Sequence, residues 1–362
     1  GGGGWGVVWG GGGGGGGGTL YTLKIRYKIF GIQIFSKNVS QIKTPIQLEK
    51  YEIFFWSAIG NDDWLNIGKY IATNPNIEQE IFALINGLDK TSKNLVLRQI
   101  ALSLKAYKTN ECKVTNLTPQ EITEINKINS EFLPNIFKLS DSLYAYDDYF
   151  LPINHFTSEV FFYKYNLDIL EPQTLVKIRQ KDIIDAGAYI EDTAILFERE
   201  FCDKNIYSFE LTQTHFKLMQ RTLKLNKSKR IIPINKGLGA KEMTMRINVC
   251  GDGSSIITHC ISDNVEDVKI ITLDSFINKN KIEVGFIKVD IEGAEMDFLK
   301  GAKETICTQK PTLLISLYHL GKDYFQIKPL IESWNLGYTF KIHRDPNGYL
   351  TLGTALFCEV LE

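Results

Sequence analysis

The chain contains no CxxC pair among its six cysteines, no G-x-G-x-x-G outside its N-terminal glycine tract, no Asn-Pro-Pro-Tyr or Asp-Pro-Pro-Tyr block, and no excess of either charge. Each absence excludes something. Cys112, Cys202, Cys250, Cys260, Cys307 and Cys358 lie far apart, which argues against a zinc ribbon or a disulfide framework and fits reduced thiols. With 41 basic and 42 acidic residues there is no global field to draw the chain onto nucleic acid or a membrane. No apolar run reaches the roughly 18 residues that span a bilayer. A basic region followed by an apolar one, the mark of a signal peptide, is also missing, and a cytoplasmic location is the expectation. His155, His215, His259 and His343 show no metal-ligand spacing, so no metal is expected.

What is present falls into four stretches. Residues 1–18 are nearly unbroken glycine around Trp5, Val7, Val8 and Trp9, a composition that does not repay its ordering entropy and is expected to be a disordered tail. Residues 19–48 hold Lys24, Arg26, Lys28, Lys37 and Lys43 with no acid. Their alternation around Gly31 predicts two strands or a hairpin, with weak peripheral membrane contact as one use of that surface. Residues 49–150 predict a helical accessory domain: QLEKYEIFFWSAI, IEQEIFALING and NLVLRQIALSLKAY place apolar residues three and four apart. Thr118-Pro119-Gln120-Glu121 reads as a capping box.

Residues 151–362 change rhythm. Apolar strands alternate with amphipathic helices from DIIDAGA onward, which predicts an α/β domain with a mostly parallel, doubly wound sheet. GYTFKIHR and LTLGTALFCEV flank Asp345-Pro346-Asn347-Gly348, a tight-turn sequence, and are expected to pair as an antiparallel C-terminal hairpin.

Candidate site residues sit where strands end. Asp185 closes one strand, and Gly187, Ala188, Tyr189, Glu191 and Asp192 form the turn that follows. Ligands of doubly wound sheets lie beyond the carboxyl ends of their strands. Gly187 lets the backbone approach a nucleoside, and Asp185 is placed to hold a cationic amino group. Glu210 ends the next strand and suits a ribose diol. A nicotinamide enzyme wants the same acid, so the turn decides. Pyrophosphate needs glycines where Tyr189 and Asp192 stand, and Glu191 and Asp192 would repel it. S-adenosylmethionine carries no phosphate and tolerates an acidic turn. Asp290 and Glu292 end a third strand, and Tyr318 and His319 a fourth. Ser254, in Gly251-Asp252-Gly253-Ser254-Ser255, is a further candidate for touching the acceptor.

IDAGAYIEDT, YSFE, ITLDSF, FIKVDIEGAE and KPTLLISLYH, in this order, resemble the FkbM-type methyltransferases over roughly residues 150–360. The resemblance implies a class I, Rossmann-like seven-stranded fold, S-adenosylmethionine as methyl donor, and O-methylation of a sugar, glycan or small-metabolite hydroxyl of the kind met in polysaccharide biosynthesis. It carries the cofactor role onto Asp185, Gly187, Glu210 and Asp290. The family has glycine where this chain has Glu191, which either contacts the methionine amino group or weakens binding. Near the C-terminus the family often has an acid before a Thr, where this chain has Gly353-Thr354.

Removing a proton from a hydroxyl needs a base near it. His319 is the first candidate, an imidazole titrating near neutrality; Asp290 is the second, and Tyr318, Glu292 and Ser254 would line the acceptor. Two other readings stay open: a non-catalytic adapter of glycan assembly with a degenerate cofactor turn, and a nucleic-acid methyltransferase. Neutral charge and the missing Pro-Pro-Tyr block weigh against the second.

Overall fold

A computed structural model describes residues 66–110, 117–248, 265–346 and 350–361, with the backbone of the strands Val8–Gly10, Thr22–Ile29, Ile32–Val39, Ile53–Phe54 and Lys113–Val114. Residues 1–51 and 52–362 are two compact units. In the first, Thr22–Ile29 pairs antiparallel with Ile32–Val39, and Val8–Gly10 pairs with Thr22–Lys24. The glycine tracts of residues 1–18 lie outside the described residues, as do the side chains of residues 19–48.

The second unit is built on seven strands: β1 Asp182–Ala186, β2 Ile206–Phe209, β3 Ile231–Ile234, β4 Val284–Val289, β5 Thr312–Ser316, β6 Tyr338–His343 and β7 Ala355–Val360. Their order across the sheet is β3-β2-β1-β4-β5-β7-β6. The first five run parallel, and β7 is antiparallel to both neighbours. This is the mostly parallel sheet with an antiparallel C-terminal pair that the sequence predicts. All six residues of β4 are buried, as a strand covered by helices on both faces must be.

Helices sort onto those faces. Against one lie α5 Pro172–Gln180, α6 Asp192–Glu200 and α7 Gln213–Asn226, around Ile183, Phe197, Phe286 and Leu314. Against the other lie α8 Leu273–Asn280, α9 Glu295–Gly301, α10 Lys303–Gln309 and α11 Gly321–Glu332, around Ile184, Ile287, Phe298 and Phe325. Asp274, within ITLDSF, accepts from Glu304 N at 3.0 Å and Thr305 N at 2.8 Å, so this motif ties α8 to the start of α10.

The N-terminal helices, α1 Asn66–Thr73, α2 Ile77–Ile85 and α3 Lys90–Thr109, bury Ile67, Leu84, Val96 and Ile100 in the same core cluster as α11 and β6. From Glu52 onward, the stretch expected as an accessory domain therefore lies inside one compact unit with the sheet. Ser92 Oγ of α3 accepts from Ile342 N of β6 at 3.0 Å, occupying a donor that an edge strand would otherwise expose. The capping box forms as expected ahead of α4 Pro119–Lys127, with Thr118 Oγ1 accepting from Glu121 N and Glu121 reaching back to Thr118 N.

Three readings are corrected. Within QLEKYEIFFWSAI, Ile53–Phe54 pairs as a strand with Lys113–Val114, where β-branched and aromatic neighbours override the helical spacing; its other residues lie outside the description. Residues 137–151 are not helical but a three-stranded meander, Phe137–Ser140, Leu143–Tyr146 and Tyr149–Leu151. The connection between β6 and β7 runs from Arg344 to Thr354, longer than the tight turn expected at Asp345-Pro346-Asn347-Gly348, of which Asn347 and Gly348 lie outside the described residues. That loop is held from outside: Gln99 Nε2 donates to Leu350 O at 2.7 Å and Thr354 Oγ1 at 2.8 Å, and Asn166 donates to Asp345. Among the described residues no helix is long and apolar enough to cross a membrane.

Candidate functional site

The carboxyl ends of β1, β2, β4 and β5 meet at one edge of the sheet, and the candidate residues of all four strands meet there. Register dictates the first contact. Lys288 of β4 stands opposite Asp185 of β1, and Ser208 of β2 stands opposite Asp185 on its other side. Lys288 Nζ lies 3.2 Å from Asp185 Oδ1 and donates to Gly187 O at 2.8 Å. Both side chains are buried, so the pair is a fixed internal charge couple rather than a surface bridge. Burial raises the Asp185 carboxyl to about 6, with Lys288 holding it down. The Lys288 ammonium is raised despite its burial, chiefly by Asp185 and Asp290. The sequence places Asp185 to hold a cationic amino group, directly or through water; in the fold a lysine already partners it.

Gly187 has φ +81°, and a Cβ there would fall 1.8 Å from the Asp290 carbonyl oxygen. Glycine is required here because the β4 loop passes against it. Ala188 is buried and accepts from Glu191 N at 2.7 Å, closing the turn. Glu191 takes φ 70°, the left-handed conformation that glycine adopts without strain. Its side chain is wholly buried, and neither oxygen has a geometric hydrogen bond; burial first, then Asp185, holds its carboxyl well above the usual range, while Ser208 acts to lower it. This side chain, which the sequence suggests either contacts a methionine amino group or weakens binding, is enclosed by protein on all sides.

Glu210, at the end of β2, has its Oε1 satisfied by Thr212 N at 2.9 Å and Thr212 Oγ1 at 3.0 Å, with His215 Nδ1 at 3.3 Å. Its Oε2 accepts from Tyr189 N at 3.1 Å. Tyr189 packs edge-on to His215 and His155, with centroids 4.6 and 4.8 Å away. Asp192 starts α6, accepts from Thr193 N at 2.9 Å, and lies 3.6 Å from His155 Nε2.

On the β4–β5 side, Tyr318 OH donates to Asp290 Oδ1 at 3.1 Å. His319 Nε2 lies 3.3 Å from the same oxygen and 3.7 Å from Glu292 Oε2, while its Nδ1 lies 2.9 Å from Glu295 Oε1. Burial alone would lower the imidazolium, but Glu295, Glu292 and Asp290 outweigh it and push His319 up to about 10. An imidazole held as a cation between carboxylates is not the near-neutral base that the sequence suggests; its geometry suits holding Asp290. Burial raises the Glu292 carboxyl, opposed by His319. Ser254 lies outside the described residues.

Sequence reasoning missed four residues. Lys288 was legible as the one charge in an otherwise apolar strand. Glu295, in the first turn of α9, also closes the loop before it by accepting from Ile291 N at 3.0 Å. Asp323 of α11 lies against Glu295, and burial first, then Glu295, raise its carboxyl to about 8. Glu159 stands in a π-helical turn, Ser158–Phe162, and is raised to about 8 by burial, Asp345 and Asp290. The last two come from distant segments and carry no local signal. Where the spacing of histidines predicts no metal, the fold brings metal-ligating atoms of Asp290, Glu295 and His319 within 4.8 Å of one another.

The donor set fits S-adenosylmethionine: a buried strand-end carboxylate for a diol, and an acidic crevice for a cationic sulfonium. Methyltransferase 1 of Beauveria bassiana (strain ARSEF 2860) is 24% identical over 174 residues, covering 42% of this chain and 70% of that protein. The solved structure of methyltransferase FkbM from Methylobacillus flagellatus KT superposes with a TM-score of 0.51 at 17% identity, over 83% of this chain. The match spans 63% of that protein, less than two-thirds of its length, and at this identity it shows the fold alone. Residues 185–340 of this chain thus match the methyltransferase FkbM domain, on a class I methyltransferase fold.

Proposed function

We propose that the chain transfers a methyl group from S-adenosylmethionine to a hydroxyl of a sugar, glycan or small metabolite. The observation that supports this most is the convergence of Glu210, Asp192, Asp290 and Glu292 on one strand-end crevice inside an FkbM domain. S-adenosylmethionine supplies the electrophilic methyl, bound to a sulfonium. Glu210 and the Gly187–Asp192 turn would hold the nucleoside and methionine ends. Asp290, oriented by Tyr318 and His319, would take the proton of the acceptor hydroxyl; His319 acts on it as a positioning residue. An in-line displacement asks the protein mainly to align two reactants and exclude water.

The crevice also bears on the acceptor. Asp192, Asp290, Glu292, Glu159 and Asp345 surround it, while Lys288 is committed to Asp185. Such a lining disfavours phosphodiesters and favours neutral or cationic acceptors, which supports the hydroxyl reading over the nucleic-acid one. Titration calorimetry with S-adenosylmethionine and S-adenosylhomocysteine tests the reading: micromolar binding, lost in Glu210→Ala, is expected. A folded chain that binds neither at millimolar concentration would leave the adapter as the better account.

A further inference from the structure

Asp290, Glu295 and His319 form a cluster that the transfer of a methyl group does not by itself explain. Two carboxylates and an imidazole present ligand atoms within 4.8 Å of one another. They come from three separate places: the end of β4, the first turn of α9 and the end of β5. Glu295 is fully buried and His319 is 6% exposed, whereas the Asp290 side chain is 26% exposed and faces the crevice.

A second observation lies behind the cluster. Glu295 and Asp323 are buried carboxyl groups in contact with each other, and Glu295 Oε2 and Asp323 Oδ2 have no hydrogen-bond donor. Acceptor facing acceptor in a buried place costs free energy unless a cation or a shared proton stands between. His319 supplies one positive charge, and it is shared among Glu295, Glu292 and Asp290.

We propose that Asp290, Glu295 and His319 bind one divalent cation at the acceptor side of the crevice, His319 releasing a ring proton to solvent so that its nitrogen lone pair meets the metal. Oxygen ligands with one imidazole suit manganese-like ions, between the all-oxygen preference of magnesium and the nitrogen and sulfur preference of zinc. Asp323 would be the outer partner that orients Glu295, as carboxylate ligands commonly require. The exposed flank of Asp290 leaves coordination positions open toward the crevice, the arrangement of a site that takes a substrate oxygen. The chemistry recognised there is a hydroxyl or a vicinal diol, whose acidity a bound cation increases. This last step rests on the methyl-transfer reading; binding of the cation does not.

The test is Mn²⁺ alone, added to the full chain after treatment with a chelator, and followed by the loss of the free-ion electron paramagnetic resonance signal. One Mn²⁺ per chain is expected, weakened at least tenfold in Asp290→Asn, which keeps the side chain's shape at a partly exposed position, and competed by Mg²⁺. His319→Gln, checked for folding by circular dichroism, should weaken it similarly. No binding by the folded wild-type chain at millimolar Mn²⁺, or binding unchanged in both variants, overturns the proposal and leaves a shared proton between Glu295 and Asp323. Calorimetry with S-adenosylmethionine on the same samples separates the two failures: cofactor binding without Mn²⁺ binding removes only the cation site.

Discussion

At the scale of single residues, the site turn holds three left-handed positions, Gly187, Tyr189 and Glu191, and only the first is glycine. Gly187 is the residue the structure cannot replace. In Gly187→Ala the new methyl would meet the Asp290 carbonyl at 1.8 Å, so the β1 and β4 loops must separate. We expect a loss of about 2 kcal/mol or more in urea unfolding, together with loss of S-adenosylmethionine binding. Glu191 is the reverse case. It holds φ 70° with its side chain wholly buried and both oxygens without a geometric hydrogen bond. Glu191→Gly removes roughly 1–2 kcal/mol of left-handed strain and an ill-satisfied acid, against a smaller loss from the freer unfolded chain. A net gain of about 1 kcal/mol is expected, with cofactor affinity unchanged; a fall in affinity would mean that this carboxyl does contact the ligand.

At the scale of elements, the C-terminal half was legible because each motif coincides with a strand end. DIIDAGA, FIKVDIEGAE and TLLISLYH mark β1, β4 and β5, and near-continuous apolar runs mark strands buried on both faces. The sequence did not reveal what the N-terminal helices cover, because an amphipathic stripe shows that a face is buried but not against what. Nor does it carry the pairing of Asp323 with Glu295, which depends on how α11 packs against α9. Lys328 shows such a dependence. From the buried side of α11 it reaches across to α2, donating to Ala83 O at 3.4 Å, to Asn86 O, and to Glu332 Oε2 at 2.8 Å. It thereby caps the carbonyl end of α2 with a positive charge. Lys328→Ala would strand those carbonyls and leave a cavity; a loss of about 3 kcal/mol is expected, read from the urea midpoint. Lys328→Arg, too large for a fully buried slot, should not restore it. A smaller effect belongs to Gln99, whose amide bridges α3 to the β6–β7 loop and accepts from Tyr324 OH at 2.7 Å. Gln99→Ala should leave cofactor binding intact and, once an acceptor is found, raise its KM, because that loop borders Asp345 beside the crevice.

At the scale of the whole molecule, the balanced charge of the sequence conceals an uneven distribution. The site gathers acids whose protonation is favoured by folding, and this sets how stability follows pH. Asp185 is raised from 3.8 to about 6, Glu159 from 4.5 to about 8 and Asp323 from 3.8 to about 8. His319 is raised from 6.5 to about 10. A group whose folded value lies above its unfolded value adds stability that is complete below the unfolded value and is lost as pH rises through the folded one. All four therefore act in the same sense: the carboxyls lose their contribution between about pH 4 and 8, and His319 between about pH 6.5 and 10. Glu121 and Asp89 oppose them, since both are held low, although burial pushes the other way: Glu121 by Arg98, Thr118 and Arg344, and Asp89 mainly by hydrogen bonds from Ser92 and Thr91. Those two contributions are complete by neutrality and add no slope above it. In chelator-containing buffer the unfolding midpoint should accordingly fall from pH 6 to pH 9, by an amount on the order of a few kcal/mol. His319→Gln should flatten the part above pH 7 and spare the part below it. A wild-type profile flat from pH 6 to 9 would mean that His319 is not held as a cation, and that the carboxylates around it are compensated in some other way.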